Sequence, residues 1–130
     1  FLAERIFSAE MAGIGRKRLL LDPGYGFNKD TAQNFALLAA QDRLNDLGAP
    51  VLAGFSRKRC IGDVTGRAVA AERMAGSLAA PLLAVQKGAM MVRVHDVAAT
   101  VDALNVLAAL DAVPMPRADK PAMPRWPDED

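Results

Sequence analysis

A short leucine run that ends in an aspartate and a Pro-Gly turn is the feature that most limits how this chain can fold. The run at residues 19–21 is too short for a helix, and Asp22 follows it directly. Its apolar character is continuous rather than alternating, which is typical of a strand covered on both faces in a parallel sheet. We therefore predict a strand over residues 18–22 that presents Asp22 at its carboxyl end.

Two later segments repeat this arrangement of a short apolar run followed by polar side chains. The runs cover about residues 50–55 and 89–94. The polar side chains at their ends are Ser56, Lys58, Arg93 and His95. The carboxyl ends of parallel strands lie on one face of an α/β sheet or barrel, and these folds carry their chemistry there. We therefore expect these side chains to lie near Asp22.

The segments between the predicted strands have the spacing of amphipathic helices. Helices are predicted at residues 1–12, 31–47, 70–87 and 97–110. A loop is predicted from the second strand to Gly66. Pro81 cannot donate a backbone hydrogen bond, so we predict a kink or break near residues 77–81. Asp96 is placed to cap the last helix.

Strands that alternate with helices predict an α/β fold with a parallel sheet. The chain has 130 residues, whereas a complete TIM (β/α)8 barrel needs about 250. The sequence also opens on Phe1 rather than on methionine. We therefore expect a piece of a longer barrel, with an open doubly wound sheet as the alternative architecture.

Composition excludes several kinds of partner. The chain has 16 basic and 15 acidic residues and only 5% aromatic residues, so it lacks the basic surface typical of nucleic-acid binders. No apolar run approaches the ~20 residues needed to span a bilayer, and no secretory leader is visible. Cys60 is the single cysteine, cannot form an internal disulfide and is expected to act as a small apolar residue. These features predict a cytoplasmic protein that binds neither nucleic acid nor membrane.

Three motifs, LLLDPGYGFNKD, GFSRKR and RVHDV, resemble in this order the C-terminal half of dihydropteroate synthase, the folate-pathway enzyme inhibited by sulfonamides. The resemblance implies that residues 1–110 form a partial pterin-binding domain, the C-terminal portion of a TIM barrel with about strands 6–8 and their helices. Residues 111–130 are Pro-rich and are expected to form a disordered tail.

The activity implied by the resemblance joins 6-hydroxymethyl-7,8-dihydropterin diphosphate to p-aminobenzoate, which yields 7,8-dihydropteroate and diphosphate. The small-molecule partners would be these two substrates, and Mg²⁺ would be bound with the substrate diphosphate; no residue is assigned as a metal ligand. The full-length enzyme is expected to be a homodimer. The 130-residue chain alone is expected to be poorly folded, aggregated or inactive.

The resemblance also assigns the catalytic residues, Asp22 and Lys58. A carboxylate can accept two parallel N–H bonds from the edge of a flat heterocycle, so Asp22 is expected to bind the pterin and to stabilise positive charge on its methylene. Lys58 is expected to donate to the pterin carbonyl and ring nitrogen, and Gly54 to let the ring approach the backbone. The alternatives are an ordinary Asp-Pro-Gly turn and a solvated basic loop.

Four further side chains complete the predicted substrate site. Arg93 and His95 are expected to bind the diphosphate, since a guanidinium beside an imidazole makes a good anion site. If the extended backbone continues, Ser56 shares a face with Lys58 and could hydrogen-bond the carboxylate of p-aminobenzoate. Phe27 is expected to contact the p-aminobenzoate ring. For Ser56 a role in a solvated loop, and for Phe27 packing of its loop, are equally good interpretations.

Two other functions are compatible with these motifs. A pterin-binding methyltransferase-type domain would share the barrel but would need no diphosphate site. An inactive pterin-binding remnant would retain the motifs without the first half of the barrel. Arg93 and His95 favour the synthase over the methyltransferase.

Overall fold

Two short parallel strands, β1 (Val51–Ala53) and β2 (Ala89–Val92), form the sheet in the computed structural model, which describes residues 1–114. The α-helices among these residues are α1 (Leu2–Met11), α2 (Thr31–Ala39), α3 (Arg59–Thr65), α4 (Met74–Gln86) and α5 (Val97–Asp111). Turns of 3₁₀ helix lie at Arg16–Arg18, Gln41–Leu47 and Ala70–Glu72. The α/β architecture predicted from the sequence is confirmed.

The first predicted strand is reduced to a single bridge, so the expectation of a full strand at residues 18–22 is wrong. Leu21 pairs in parallel with Val51: it donates to the carbonyl of Pro50 at 2.8 Å and accepts from the amide of Leu52 at 2.8 Å. The ladder stops there because Pro23, two residues further on, has no N–H to contribute. Asp22 is nevertheless delivered to the carboxyl end of the sheet.

The sheet and helices enclose two apolar clusters. The larger cluster is centred on Tyr25 and Phe55, whose ring centroids are 4.1 Å apart, and its other buried members include Leu38, Ile61, Ala80 and Ala84. The smaller cluster joins α1 to the sheet through Ile6, Leu21, Ala49 and Val51. Residues of β1 and β2 belong to these clusters, so both strands are supported by packed apolar side chains.

The second predicted helix is split, because α2 ends at Ala39 and a 3₁₀ helix covers Gln41–Leu47. The beginning of α2 is well specified: Asp30 and Gln33 form a reciprocal capping box. Gln41, which the helical pattern places on the water-facing side, is instead fully buried. Its side-chain Oε1 accepts from the Tyr25 hydroxyl at 2.8 Å, and its Nε2 donates to the carbonyl of Ala84 at 2.9 Å. A buried polar network therefore overrides the regular helix.

Pro81 does not interrupt α4, so the predicted break at residues 77–81 is wrong. A proline inside a helix costs about 3 kcal/mol relative to alanine. The buried face of α4 consists of Ser77, Ala80, Pro81 and Ala84, small side chains that allow the helix to pack closely against β2 and α5. We attribute the continuity of α4 to this packing, which offsets the lost hydrogen bond.

The loop predicted from the second strand to Gly66 contains a helix, α3, so this prediction is also wrong. Cys60 and Ile61 are both buried, and their burial fixes the start of the helix on the core. Gly66 ends α3 in the left-handed conformation, with φ of +70°. Cys60 is a free, buried thiol among apolar side chains, which fits the role expected for it.

Several apolar residues of α5 are exposed, among them Val97, Val101, Val106 and Leu110, together with the polar Asp102 and Asn105. No helix within residues 1–114 is long and apolar enough to cross a membrane. The tail predicted for residues 111–130 lies almost entirely outside the described residues, apart from the last residue of α5 and the three that follow it.

Candidate functional site

Asp22 and Arg93 meet at the carboxyl ends of the parallel segments. Arg93 follows β2, and its amide donates to the carbonyl of Ala53 at 3.0 Å. Its guanidinium Nη1 donates to Asp22 Oδ2 at 3.3 Å, while the amide of Gly24 donates to Asp22 Oδ1 at 2.9 Å. Each carboxylate oxygen has two acceptor positions, so Asp22 keeps one free on each oxygen. The carboxylate can therefore still accept two parallel N–H bonds.

Gly54 provides the space that this contact needs. A Cβ atom at Gly54 would lie 2.8 Å from Nη2 of Arg93 and 3.3 Å from Cζ. The absence of a side chain therefore lets the guanidinium lie directly over the backbone at the end of β1. The approach of a pterin ring at Gly54 stays a prediction; in this structure the space beside Gly54 is occupied by the guanidinium of Arg93.

Lys58 points from the start of α3 to the loop that follows Asp22. Its Nζ donates to the carbonyl of Tyr25 and lies 4.7 Å from the centroid of the Phe27 ring. Partial burial, and then the nearby charge of Arg93, hold the pKa of the Lys58 ammonium below its usual value. The structure therefore places Lys58 between Asp22, Arg93 and the Phe27 loop, a position from which it can donate to a ring bound at Asp22.

Asn34, on α2, holds the Phe27 loop in place and was missed in the sequence. Its side chain is almost fully buried; Oδ1 accepts from the amide of Gly26 at 2.7 Å, and Nδ2 donates to the carbonyl of Asp30 at 2.9 Å. Gly26 has φ of +82°, and a Cβ there would lie 2.6 Å from Cδ of Lys58. The one available signal was an asparagine inside a helix, where such side chains commonly bond the backbone.

Phe27 lies at an open cleft of about 670 Å³ between the loop after Asp22 and the start of α3. Its side chain is 61% exposed, so packing of the loop onto the core is not its role here. The charged side chains that line the same cleft are the cations Lys29, Lys58 and Arg59 and the carboxylates Asp30 and Asp63, the last of which pairs with Arg59. An exposed aromatic ring beside cationic side chains can contact a flat aromatic ligand that carries a negative charge.

Ser56 does not share a face with Lys58, because the extended backbone stops between them. Arg57 has φ of +59°, and the amide of Lys58 donates to the carbonyl of Phe55 at 3.1 Å, which closes a tight turn. Ser56 is 6% exposed and its Oγ lies 2.8 Å from Nδ1 of His95. The structure therefore brings Ser56 to His95 and brings Lys58 to Phe27.

Arg57 is fixed at three points, none of which the sequence indicated. Its amide donates to Ser77 Oγ at 2.9 Å, its carbonyl accepts from Nη1 of Arg73 at 2.8 Å, and its Nη2 bonds Oδ1 of Asp96 at 3.0 Å. Asp96 does occupy the cap position of α5, but its side chain makes no capping hydrogen bond because Arg57 engages it. A non-glycine residue at positive φ costs about 1–3 kcal/mol, and these contacts offset that cost.

The side chains at this site do not form a metal cage. Within residues 1–114 no three His, Cys, Asp or Glu side chains are grouped so that they could hold a metal ion. Of the two carboxylates near the strand ends, Asp22 is bonded to Arg93 and to the amide of Gly24, and Asp96 is paired with Arg57. The residues present therefore do not fit a Mg²⁺ ion held by the protein itself.

Comparison with known proteins gives a consistent result. Residues 1–95 match the family described as pterin binding enzyme. The dihydropteroate synthase of Neisseria meningitidis serogroup B is 48% identical over 113 residues, which cover 85% of this chain and 40% of that protein. The Escherichia coli K12 enzyme is 42% identical over 109 residues, covering 84% and 38% respectively. The chain thus spans about 40% of the length of the curated relatives it matches.

Solved structures agree with the sequence comparison. Dihydropteroate synthase from Xanthomonas albilineans, in complex with 7,8-dihydropteroate, superposes with a TM-score of 0.87 at 65% identity, over 88% of this chain and 44% of that chain. The Thermus thermophilus enzyme in complex with 6HMPPP gives a TM-score of 0.80 at 47% identity, over 84% and 43%. The fold is therefore that of part of these TIM-barrel enzymes. As the motifs around Asp22, Lys58 and Arg93 indicated, the chain belongs to the pterin-binding enzyme family, and its resemblance to dihydropteroate synthase is confirmed.

Proposed function

We propose that this sequence is part of a dihydropteroate synthase, which joins 6-hydroxymethyl-7,8-dihydropterin diphosphate to p-aminobenzoate in folate biosynthesis. In this proposal residues 1–110 are the C-terminal portion of the barrel, about strands 6–8. The whole enzyme works in the cytoplasm, as a homodimer in which the exposed apolar residues of α5 are available for contact. Because the chain spans about 40% of its relatives, other segments complete the site.

The observation that carries this proposal is the meeting of Asp22, Arg93 and Lys58 at the ends of neighbouring parallel segments. Asp22 and Arg93 lie 3.3 Å apart, and the charge of Arg93 contributes to the lowered pKa of Lys58. One carboxylate and two cations at one strand edge can bind a ring with adjacent N–H donors and a carbonyl, together with an anionic leaving group. A pterin diphosphate has all of these groups.

The reaction that fits these residues is dissociative. The bond between the pterin methylene carbon and the diphosphate oxygen breaks, and its electron pair leaves with the diphosphate. The negative charge of Asp22 stabilises the positive charge that develops on the pterin. The amine of p-aminobenzoate then forms the new C–N bond and loses a proton to water. Arg93 and His95 bind the departing diphosphate.

The Mg²⁺ expected with the diphosphate has no ready set of protein ligands among the described residues. In the proposal this ion is bound with the substrate diphosphate. We place the second substrate, p-aminobenzoate, in the cleft at Phe27. Lys29 and Arg59 line this cleft and can attract the carboxylate of p-aminobenzoate. Ser56 faces His95 instead, so we place Ser56 on the diphosphate side of the site.

The test is p-aminobenzoate-dependent release of diphosphate by the longest natural chain that contains this sequence. Lys58→Ala should abolish pterin binding or turnover, since it removes the donor to the ring. Lys17→Ala is the matched control, because Lys17 is an exposed lysine on the 3₁₀ turn Arg16–Arg18, outside the site. Full activity of Lys58→Ala would contradict the assigned role, and absence of release by folded wild-type protein would contradict the synthase.

A further inference from the structure

We infer that Arg57 is a positioning residue, which locks the turn between β1 and α3 so that Ser56 and Lys58 are held toward opposite sides of one substrate site. The inference rests on the proposed function, because it assumes that Lys58 and His95 bind the pterin diphosphate. Arg57 itself touches neither the Phe27 cleft nor the Asp22–Arg93 pair.

The first step of the argument concerns the backbone. At φ of +59° Arg57 reverses the chain direction, so that its two neighbours diverge. The hydroxyl of Ser77, which is 2% exposed, accepts the Arg57 amide at 2.9 Å, and Arg73 donates to the Arg57 carbonyl at 2.8 Å. The backbone N–H and carbonyl of Arg57 are therefore held by Ser77 of α4 and by Arg73, the cap residue of that helix.

The second step concerns the side chain. Nη2 of Arg57 bonds Oδ1 of Asp96 at 3.0 Å, and the Asp96 side chain is only 20% exposed. Asp96 follows His95 directly, so the ion pair connects the turn after β1 to the segment that carries the imidazole. The Arg57 side chain is 35% exposed, so the pair is partly withdrawn from water, and a charge-assisted bond of this kind is stronger than a fully exposed pair.

The third step concerns the consequence for the site. Ser56 Oγ bonds both the amide of His95 at 3.2 Å and its Nδ1 at 2.8 Å, whereas Lys58 reaches Tyr25 and Phe27 on the other side. If Arg57 moved toward an ordinary conformation, Ser56 and Lys58 could not both keep these partners. Arg57 therefore sets the distance between the diphosphate side and the ring side of the site.

The experiment compares Arg57→Gln with Arg57→Lys, Asp96→Asn and the double variant Arg57→Gln/Asp96→Asn, in the longest natural chain that contains this sequence. Arg67→Gln is the matched control, since Arg67 is exposed and lies outside the Phe27 cleft and the Asp22–Arg93 pair. We expect Arg57→Gln to lower kcat/KM for the pterin diphosphate at least about tenfold, chiefly through KM, at a temperature where all variants are folded. Arg57→Lys should recover part of this loss, and the double variant should be no worse than the single one.

A second readout does not depend on activity. Trypsin should cleave the native protein after Lys58 or Arg59 faster in Arg57→Gln than in wild type and in Arg67→Gln, because the turn is no longer held. Unchanged cleavage together with unchanged KM would overturn the inference. A second outcome would also overturn it: wild type releases diphosphate, Arg57→Gln is cleaved at the wild-type rate, and the lost activity of Arg57→Gln is explained wholly by a lowered Tm. Absence of release by folded wild type would instead contradict the proposed function, and with it the substrate side of this inference.

Discussion

Ser56 Oγ lies 2.8 Å from Nδ1 of His95 and also accepts the backbone amide of His95 at 3.2 Å. The hydroxyl donates to Nδ1 when the ring proton is on Nε2, and accepts from Nδ1 in the other tautomer. In the first tautomer Nε2 carries a proton that can be donated to an anion. Ser56 therefore orients the imidazole that we assign to the diphosphate, although the sequence motif alone suggested a contact with p-aminobenzoate.

The Ser56 contact predicts which substrate a mutation will affect. Ser56→Ala should raise KM for the pterin diphosphate by about tenfold, the effect of one lost hydrogen bond to a positioning group, and leave KM for p-aminobenzoate nearly unchanged. Steady-state kinetics with each substrate varied in turn would measure this. If KM for p-aminobenzoate rises instead, Ser56 contacts that substrate directly, and its assignment to the diphosphate side is refuted.

Gly54 predicts a loss of function without a comparable loss of stability. In Gly54→Ala the new methyl group would lie 2.8 Å from Nη2 of Arg93, so the exposed guanidinium should move away from Asp22. We expect the free energy of unfolding to change by less than about 1 kcal/mol, while KM for the pterin diphosphate rises about tenfold through one weakened charge-assisted bond. Urea denaturation and kinetics on the same sample would measure both quantities. Gly15→Ala is the control, because nothing lies within 4 Å of a Cβ at that position; equal effects of the two substitutions would refute the explanation.

The lowered pKa of Lys58 predicts the alkaline side of the pH profile. Partial burial and the charge of Arg93 disfavour the ammonium form, so the Lys58 pKa lies below its ordinary value of 10.5. In the proposed function the ammonium is the form that donates to the pterin, so kcat/KM should fall as pH rises through this lowered pKa. In Lys58→Arg the decline should move to higher pH, since a guanidinium stays protonated above about pH 12. An unmoved decline would assign it to another group or to the substrate.

The lowered pKa of Lys58 also affects the free energy of unfolding. As pH rises, kcat/KM should fall, whereas the contribution of Lys58 to stability should rise. Because the folded state releases the Lys58 proton at lower pH than the unfolded chain does, the folded state binds fewer protons between the two pKa values. This group therefore makes folding more favourable as pH rises across that window. The effect disappears in Lys58→Met, and urea denaturation at several alkaline pH values would reveal the difference in slope.

The buried hydroxyl of Tyr25 predicts a stability effect remote from the chemistry. Tyr25 and Gln41 are both fully buried and bonded at 2.8 Å, and burial raises the pKa of the Tyr25 phenol. Tyr25→Phe leaves Oε1 of Gln41 without this donor and should lower the free energy of unfolding by about 1–3 kcal/mol. The double variant Tyr25→Phe/Gln41→Leu removes both polar groups and should lose less than the sum of the two single variants. A simple sum would show that the two residues act independently.

The strand ends could be predicted from the sequence because their pattern is local. Asp22 and Arg93 each follow a short apolar run, and parallel pairing through β1 brings them together. The α/β alternation and the approximate positions of α1, α4 and α5 follow from the same kind of pattern. The family motifs then connected these positions to one kind of site.

The remaining features depend on contacts between distant residues, which periodicity does not reveal. The left-handed conformation of Arg57 results from Ser77, Arg73 and Asp96, which lie 16 to 39 positions away. The continuity of α4 through Pro81 results from packing of its small-residue face. In each case tertiary contacts outweigh a local preference of a few kcal/mol.

The Asp22–Arg93 bond joins residues 71 positions apart in the chain. Closing so long a loop is entropically costly, so we expect the bond to form late, after α2, α4 and both strands have packed. During synthesis, therefore, the segment around Asp22 leaves the ribosome well before Arg93, and the bond between them cannot form until β2 has also emerged. If these two residues bind a pterin as we propose, that binding requires the late contact, and a pterin added during refolding should favour the last step rather than the first.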